Sequence, residues 1–359
     1  MTSLVLTEDS KQYQDLARDF STNEIAPKAE GFDHSGQLPK DLWKKVWEVG
    51  LANMQVPEEF GGLGLSCVDA AVVAEELGAG CAGIAAAFWG TDLAVAPLLV
   101  AGTEEQKRKF VEPFTTEFGL AGFCLGGTFK AKNGKLTGEG YCVNGHEAKW
   151  VLVKADTVDG GAVYVVEAKG NVEVRVGEQM TRIGLKAADI CKIYFNEAQL
   201  NEILPKSGPN ICTQVDARVA PIVAAYATGI ARAALEHAVK YGKERQTFGV
   251  PIATHQGVQF MLADMAKNIE AARLMTRKAA WMVDHGEACY DESLCARTFA
   301  LDMAMQATTD AVQVYGGYGY SREYPVEKLM RDVKTLTALF TNPFKAKVAI
   351  GQSLVAAAR

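Results

Sequence analysis

The residues of this chain that are best suited to ligand chemistry fall in two short C-terminal segments. Arg245 lies within residues 244–251, and Gln313 is followed three residues later by the pair Gly316 and Gly317. An arginine side chain is a planar, permanently charged donor that can pair with the oxygens of a diphosphate. A glycine pair lets the backbone approach a ligand closely. Taken alone, Arg245 would also fit a surface residue at a helix end, and the glycines would fit an ordinary turn.

Four side chains are candidates for a proton acceptor: His255, Asp216, Asp264 and Glu270. Each of them also has a structural explanation. Histidine titrates near neutral pH, but the position of His255 beside Gln256 favours a structural role. Asp216 could face inward after a shift of register, although acids are favoured at a helix start without any catalytic role. Asp264 and Glu270 lie on a helix with an apolar stripe and are most simply its solvated face. The sequence therefore leaves the catalytic base unassigned.

The composition is that of a globular protein with more than one core. The chain has 359 residues, of which 48% are hydrophobic and 22% charged, and its mean hydropathy is close to zero. This length exceeds the usual size of one hydrophobic core, so two or three subdomains are expected. The net charge of −6 disfavours binding to a nucleic acid backbone.

Cysteine usage and the N-terminus indicate a reducing compartment. The eight cysteines are scattered, no Cys-x-x-Cys pair occurs, and the first ten residues form no apolar leader. Buried thiols are therefore expected, and neither a disulfide framework nor a metal site is predicted. No apolar run is expected to reach the ~18 residues that span a bilayer. We interpret the chain as cytoplasmic and without a membrane span.

The hydrophobic pattern changes twice along the chain. Apolar residues recur at helical spacing up to about residue 120, with one helix predicted at 68–77, ending at Gly78, and another starting at Thr103. Short stretches rich in β-branched and aromatic residues follow. From about Asp216 the pattern is helical again, and one long helix carries an apolar stripe: Val258, Met261, Leu262, Met265 and Ile269. The order of elements is therefore α, then β, then α.

Five blocks along nearly the whole chain resemble the acyl-CoA dehydrogenase family and occur in the family's order. The blocks are residues 57–64, residues 102–107, residues 182–186, residues 244–251 with His255 and Gln256, and Gln313 with residues 314–332. The resemblance implies an α+β multidomain fold. It consists of a helical N-terminal domain (1–121), a central β-barrel-like domain (122–205) and a C-terminal four-helix bundle (206–359).

The resemblance also implies FAD as the cofactor and suggests the residues that bind it. In the family, the arginine of an Arg-x-x-Phe-Gly motif reaches FAD across a subunit interface, and a Gln-x-x-Gly-Gly turn meets the adenine end. The central domain holds the flavin ring. The corresponding candidates in this chain are Arg245, Phe248, Gln256, Gln313, Gly316 and Gly317, with Phe123 and Leu125 for the ring.

The sequence departs from the family at the catalytic base. Most members have a Tyr-Glu-Gly-Thr stretch whose glutamate removes the α-proton of the acyl thioester. The aligned residues here are Leu339, Phe340, Thr341 and Asn342, and phenylalanine cannot accept a proton. In a minority of relatives the glutamate comes from an earlier helix, where this chain has Val219.

Two flavin-binding loops of the family are also altered. The loop after the first strand is shortened, because Phe123 to Leu125 run directly into residues 126–129. The family's Trp-Ile-Thr segment, which packs on the flavin ring, is expected after residues 144–150, yet the chain continues at once with Val151. Trp150 corresponds either to a later tryptophan of the family or to a replacement for that ring contact.

These features leave three functions open. The first is an FAD-dependent oxidoreductase acting on an acyl thioester, of CoA or of a carrier protein, with a relocated base or no need of one. The second is an incomplete partner subunit that assembles with a complete paralogue. The third is different flavin chemistry, such as oxygen activation. An oligomer is expected in the first two cases, and the resemblance brings an electron-transfer flavoprotein into consideration as a partner.

Overall fold

Helices flank a central curled sheet in the computed structural model, which describes residues 6–157, 160–200, 202–203, 209–340 and 343–358. The N-terminal helices are α1 (Glu8–Phe20), α2 (Ala26–Ser35), α3 (Lys40–Glu48), α4 (Cys67–Ala101), α5 (Glu104–Phe110) and α6 (Pro113–Thr116). The C-terminal helices are α7 (Pro209–Glu244), α8 (Gln256–Asp284), α9 (Tyr290–Tyr315), α10 (Pro325–Phe340) and α11 (Pro343–Ala357). The predicted order of helical, β and helical regions is confirmed.

The sheet lies between the two helical regions. Its strands are β1 (Leu120–Gly127), β2 (Lys130–Lys132), β3 (Lys135–Val143), β4 (Ala148–Thr157), β5 (Gly160–Glu167), β6 (Val174–Gln179), β7 (Ile190–Gln199) and β8 (Glu202–Ile203). The strand order is β6-β7-β3-β1-β4-β5-β8, and β2 pairs with both β3 and β4. Strand β1 is central, antiparallel to β3 and parallel to β4. A further two-stranded hairpin, β9 (Gln246–Thr247) and β10 (Val250–Pro251), follows α7.

Local sequence signals explain where several helices begin. Thr103 caps α5: its side chain accepts the backbone N–H of Gln106, and the Gln106 side chain accepts the backbone N–H of Thr103. Ser66 and Asp69 form the same reciprocal arrangement at the start of α4. The helix start predicted at Thr103 is thus confirmed.

The predicted end of a helix at Gly78 is wrong. Helix α4 continues to Ala101, with a kink at Cys81, where the backbone leaves helical geometry. A Cβ added to Gly78 would lie 2.7 Å from the carbonyl oxygen of Tyr226 in α7. The glycine is therefore needed for close packing between α4 and α7, and it does not end the helix.

Two helices correct the expectation that no run is long and apolar enough to cross a membrane. Cys67–Ala101 has a window of mean hydropathy 1.7, and Thr213–Glu244 has one of 1.2. In each window 78% of the residues are buried inside the fold. Such burial is typical of core helices of a globular protein, where apolar composition serves internal packing.

The C-terminal helices pack as the apolar stripe of α8 predicts. Met265 and Ile269 are buried, and Val258, Met261 and Leu262 are partly buried against the same core. Helices α4 and α7 also pack closely against each other, and Gly229 of α7 approaches the backbone of Glu75 in α4.

Replacing Gly229 by alanine is expected to lower the free energy of unfolding by about 1–3 kcal/mol, because overpacked cores shift the backbone. The added Cβ would lie 2.0 Å from the carbonyl oxygen of Glu75. Gly31, in the middle of α2, is the matched control, since a Cβ there meets nothing within 4 Å. Urea unfolding should show Gly31→Ala unchanged or more stable by up to about 1 kcal/mol. Equal midpoints for the two variants would contradict the packing argument.

A buried ionic cluster joins α10 to the loop before β7 and to the kink of α4. The Lys328 Nζ lies 2.6 Å from Asp332 Oδ2 and 3.3 Å from Cys81 Sγ. The other carboxylate oxygen of Asp332 accepts the N–H of Leu185 at 2.5 Å. A neighbouring pair, Arg331 and Asp33, ties α10 to α2 at 2.7 Å. These contacts therefore hold residues 182–186 against residues 327–332. Both segments belong to the blocks that resemble the family.

Candidate functional site

A cleft of about 450 Å³ lies where α7 ends and α9 turns into α10. It brings together Arg245, Gly316 and Gly317, three of the residues selected from the sequence. The lining residues are Tyr241, Arg245, Thr247, Ile252, Val314, Tyr315, Gly316, Gly317 and Tyr318.

Aromatic rings form one wall of this cleft. Tyr241 and Tyr315 stack with ring centroids 4.0 Å apart and an interplanar angle of 14°, and Tyr324 meets the Tyr315 ring edge-on at 5.6 Å. Burial raises the pKa of Tyr315 to about 12, so its hydroxyl stays protonated. The Arg245 guanidinium lies 5.7 Å from the centre of the Tyr318 ring. A flat ligand would therefore meet an aromatic surface beside a positive charge.

The Arg245 side chain is exposed, and no hydrogen bond or ion pair links it to another side chain in the described part of the chain. The glycines opposite leave space. Gly316 has a φ of 59°, a conformation that favours glycine, and a Cβ on Gly316 or Gly317 would meet nothing within 4 Å. A guanidinium without an ion-pair partner in the described residues, opposite a glycine backbone without side chains, suits the diphosphate and adenine end of a dinucleotide.

The other candidates of this region border the cleft without lining it. Phe248 is 98% exposed, with a φ of 54° at the tip of the β9–β10 hairpin. Gln256 is the exposed first residue of α8, and Gln313 is exposed in the last turn of α9. His255 Nε2 lies 2.8 Å from Thr247 Oγ1, which supports the hairpin and agrees with a structural role.

Phe123 and Leu125 are in a different part of the fold. Both lie on β1 and pack, partly buried, against the helical core that contains α4 and α7. The candidate residues thus form two separate groups, one at the cleft and one at the junction of β1 with the helices. A single compact pocket formed by this chain alone does not contain them all.

Asp92 is a polar residue at that junction which the sequence reasoning missed. It is half-buried on α4, next to Thr91, whose hydroxyl lies 3.3 Å from the N–H of Ala121 in β1. Burial raises the pKa of Asp92 to about 7, against the opposing effect of Arg218 on α7. The sequence contained one signal of this residue, since Asp92 is the sole charged residue among residues 77–101.

Three possible metal ligands also meet in the sheet. The ligand atoms of His146, Asp189 and Cys191 lie within 4.8 Å of one another. Asp189 accepts the backbone N–H of His146 at 2.8 Å, and its other oxygen lies 2.7 Å from His146 Nδ1. Burial raises the pKa of the Cys191 thiol, which disfavours the thiolate that a metal requires. The group is accounted for by hydrogen bonds that hold a turn.

Comparison with known proteins identifies the family. Models of the N-terminal and C-terminal domains of acyl-CoA dehydrogenases match residues 7–117 and 217–340. An acyl-CoA dehydrogenase of Bacillus subtilis (strain 168) is 36% identical over 354 residues, covering 92% of this chain and 93% of the relative. This chain belongs to the acyl-CoA dehydrogenase family. Its class is therefore that of FAD-dependent oxidoreductases acting on acyl thioesters, as the sequence predicted.

Solved structures of acyl-CoA dehydrogenase type share the whole fold. Butyryl-CoA dehydrogenase from Megasphaera elsdenii is 30% identical, with a TM-score of 0.92 over 99% of this chain and 100% of that one. A chain from the work on the electron transferring flavoprotein of Acidaminococcus fermentans is 31% identical, with a TM-score of 0.91 over 98% and 99%.

The Trp150 side chain is packed in the interior of this acyl-CoA dehydrogenase. Its side chain is 4% exposed, and its Nε1 donates to the Phe110 carbonyl at 3.0 Å. Phe110 and Phe114 pack on its ring at 5.8 and 5.9 Å. Of the two alternatives left open by the sequence, replacement of the ring contact is disfavoured by this packing, and correspondence to a later tryptophan of the family stays a prediction.

The positions of the family's usual base carry no carboxylate here. Val219 is buried in α7, and Phe340 is the last residue of α10; the Phe340 side chain, Thr341 and Asn342 lie outside what the structure describes. Asp216 lies on α7, where burial raises its pKa against the opposing charges of Arg297 and Lys154.

The two other acids considered from the sequence make local ion pairs on α8. Asp264 pairs with Lys267, and Glu270 pairs with Arg273. Both carboxylates are solvent-accessible, as expected for the outer face of an amphipathic helix.

Proposed function

We propose that this chain is a subunit of an oligomeric acyl-CoA dehydrogenase, and that its Arg245 cleft holds the diphosphate and adenine end of FAD. The observation that carries the proposal is the exposed Arg245 guanidinium opposite Gly316 and Gly317, beside an aromatic wall. Gln313, Gln256 and Phe248 border the cleft at positions from which they would meet the same ligand. Bound FAD supplies the hydride acceptor.

The cleft alone is open, so we infer that a second subunit closes it. Large apolar side chains remain exposed near the cleft and on α8 and α11, far more than singly scattered surface residues would require. They include Phe248 (98% exposed), Tyr320 (89%), Phe260 (61%), Leu354 (68%) and Val355 (66%). Helix faces of this kind bury themselves against partners of the same architecture.

The partner is either a second copy of this chain or a complete paralogue. Val219 at one base position and the packing of Trp150 against the N-terminal helices are what a partner subunit would show, and flavin content decides between the two assemblies. The open Arg245 cleft is needed in both assemblies. The substrate is proposed as an acyl thioester of CoA or of a carrier protein, and an electron-transfer flavoprotein as the electron acceptor.

A reducing compartment suits the described cysteines. Seven of them are free thiols, six buried and one half-buried. Structural thiols without disulfides are typical of reducing compartments, so we retain the cytoplasm as the proposed location.

If the partner is a second copy of this chain, purified protein should elute from a size-exclusion column as an oligomer that carries the visible absorption band of oxidised flavin. Arg245→Lys should weaken FAD retention about 10- to 100-fold, because a lysine cannot reproduce the two-point contact, and a charged hydrogen bond contributes about 1.5–3 kcal/mol. Arg108→Lys is the matched control, since Arg108 is an exposed arginine on α5 paired with Glu104. Flavin content after extensive dialysis gives the comparison.

A partner subunit would instead elute with little flavin and acquire it when mixed with a complete paralogue. Equal flavin retention in Arg245→Lys and the parent would remove the cleft from the proposal. A colourless monomer that takes up neither FAD nor a paralogue would overturn the function itself.

A further inference from the structure

Cys81 and Lys328 make a buried contact that the proposed function does not use. The Cys81 sulfur lies 3.3 Å from Lys328 Nζ, at the kink where α4 leaves helical geometry. Both side chains are buried, with 1% of Cys81 and 8% of Lys328 exposed. The two residues are 247 positions apart in the chain, so their contact joins α4 to α10 across the fold.

Cys81 differs from the other cysteines that the structure describes. Its sulfur is the one thiol among them within hydrogen-bond distance of a cationic side chain. Cys67 and Cys142 instead donate to backbone carbonyls, and burial raises the pKa of both thiols. An adjacent ammonium stabilises a thiolate, which is the form that reacts with peroxides. Among the buried cysteines, oxidation should therefore start at Cys81.

The surroundings of Lys328 determine which groups an oxidised Cys81 would meet. Burial opposes the charge on Lys328, but the attraction of the Asp332 carboxylate prevails and raises the pKa of the lysine, which is held as an ammonium. Asp332 Oδ2 lies 2.6 Å from the same nitrogen. The Lys328 nitrogen thus contacts both a sulfur that can be oxidised and a carboxylate that can take up a proton.

We propose that Cys81 and Lys328 form a reversible sulfur–nitrogen crosslink when the thiol is oxidised by hydrogen peroxide. In the first step the Cys81 sulfur takes one oxygen from peroxide and becomes a sulfenic acid, and water is released. A sulfenic acid condenses with a neighbouring thiol or nitrogen. In the second step the Lys328 nitrogen bonds to the sulfur as the sulfenic hydroxyl leaves as water.

Protons and electrons balance over the two steps. The Cys81 sulfur loses two electrons, and peroxide gains them and ends as two molecules of water. The Lys328 ammonium gives one proton to the departing hydroxyl and a second to the Asp332 carboxylate, which leaves one hydrogen on the bridging nitrogen. Two neutral groups and a covalent bond thereby replace the buried ion pair. A thiol reductant reverses the reaction, because two of its thiols supply the two electrons and form a disulfide.

The crosslink affects elements that carry the motifs of the family. Helix α10 follows the Gly316 turn of the cleft and ends at Phe340, and Asp332 holds the backbone of Leu185. Oxidation would fasten this helix to the kink of α4. The reaction requires neither flavin nor a catalytic base, so it is available in both proposed assemblies.

The test treats purified full-length protein with hydrogen peroxide, blocks the remaining thiols with iodoacetamide, and compares non-reducing with reducing gels. A bond between residues 247 positions apart keeps the denatured chain in a closed loop, so linked protein should migrate faster until dithiothreitol is added. Chymotryptic digestion and tandem mass spectrometry should then find the Cys81 and Lys328 peptides joined, and lighter by two hydrogens than their sum.

Three variants locate the bond. Cys81→Ser should lose the linked peptide. Lys328→Arg should lose it as well, although arginine keeps a positive charge beside Asp332. Cys295→Ser is the matched control and should keep the linked peptide, because the half-buried Cys295 lies on α9 and takes no part in this contact.

Two results in the parent protein would overturn the crosslink. One is a sulfenic acid at Cys81 that dimedone traps while no linked peptide forms. The other is a Cys81 that stays a free thiol while Cys295 is oxidised. Neither result depends on whether a variant folds. A linked peptide that persists in folded Lys328→Arg would also overturn the assignment, since the nitrogen would then belong to another residue.

Discussion

Replacing Asp332 by alanine is expected to lower the free energy of unfolding by about 3–5 kcal/mol, because it leaves the Lys328 ammonium buried without its counter-charge. Asp332 is fully buried, 2.6 Å from Lys328 Nζ, and also accepts the N–H of Leu185. The substitution would therefore break both the ion pair and the link between α10 and the loop before β7. Lys328 would keep its contact with the Cys81 sulfur at 3.3 Å, which carries no full counter-charge.

Urea unfolding monitored by circular dichroism measures this loss. The control is Asp302→Ala, which removes the exposed partner of Lys347 and should cost no more than about 1 kcal/mol. The double variant Lys328→Met with Asp332→Asn should recover part of the stability, since it removes the buried charge and keeps an oxygen that accepts the N–H of Leu185. A loss in Asp332→Ala no larger than in Asp302→Ala would show that the buried pair is not structural.

Introducing glutamate at position 340 is expected to raise the exchange of the α-protons of 3-thiahexanoyl-CoA with D2O by about 10²- to 10⁴-fold over the parent, because a positioned base has an effect of that size. Sulfur replaces the β-carbon of this probe, so it cannot donate hydride, and mass spectrometry follows deuterium at the α-carbon. Phe340 aligns with the glutamate of most relatives and ends α10. The comparison between the parent and Phe340→Glu, both loaded with FAD, therefore asks whether the pocket still accepts the family's usual base.

Phe344→Glu is the control. Phe344 lies on α11 and is 76% exposed, so the same change there adds a carboxylate at the protein surface. It should leave exchange at the level of the parent. If Phe340→Glu behaves like Phe344→Glu while FAD and probe still bind, the end of α10 no longer faces the α-carbon.

Local sequence signals predicted part of the fold. They failed where contacts between segments that are distant in the sequence determine the structure. The cap at Thr103 could be identified because its partner, Gln106, is three residues away. The glycine at 78 was misinterpreted as a helix end because its reason, the backbone of Tyr226, lies far along the chain.

The same contrast applies to the site. Arg245 and Gly316 were selected from their motifs, and the fold brings them to one cleft. Asp92 was missed, since the burial that raises its pKa depends on the packing of α4 against α7. The contact between Trp150 and Phe110 likewise joins strands to helices that no short-range pattern connects.

The apolar core helix Cys67–Ala101 has a consequence for synthesis of the chain. Its covering partner, α7, begins only at Pro209, so the roughly 100 intervening residues take about 5–20 s to translate. During that interval the nascent chain exposes a segment with the hydropathy of a membrane anchor. The ribosome-bound intermediate is therefore the stage at which this protein most depends on chaperones, and at which mistargeting would compete with folding.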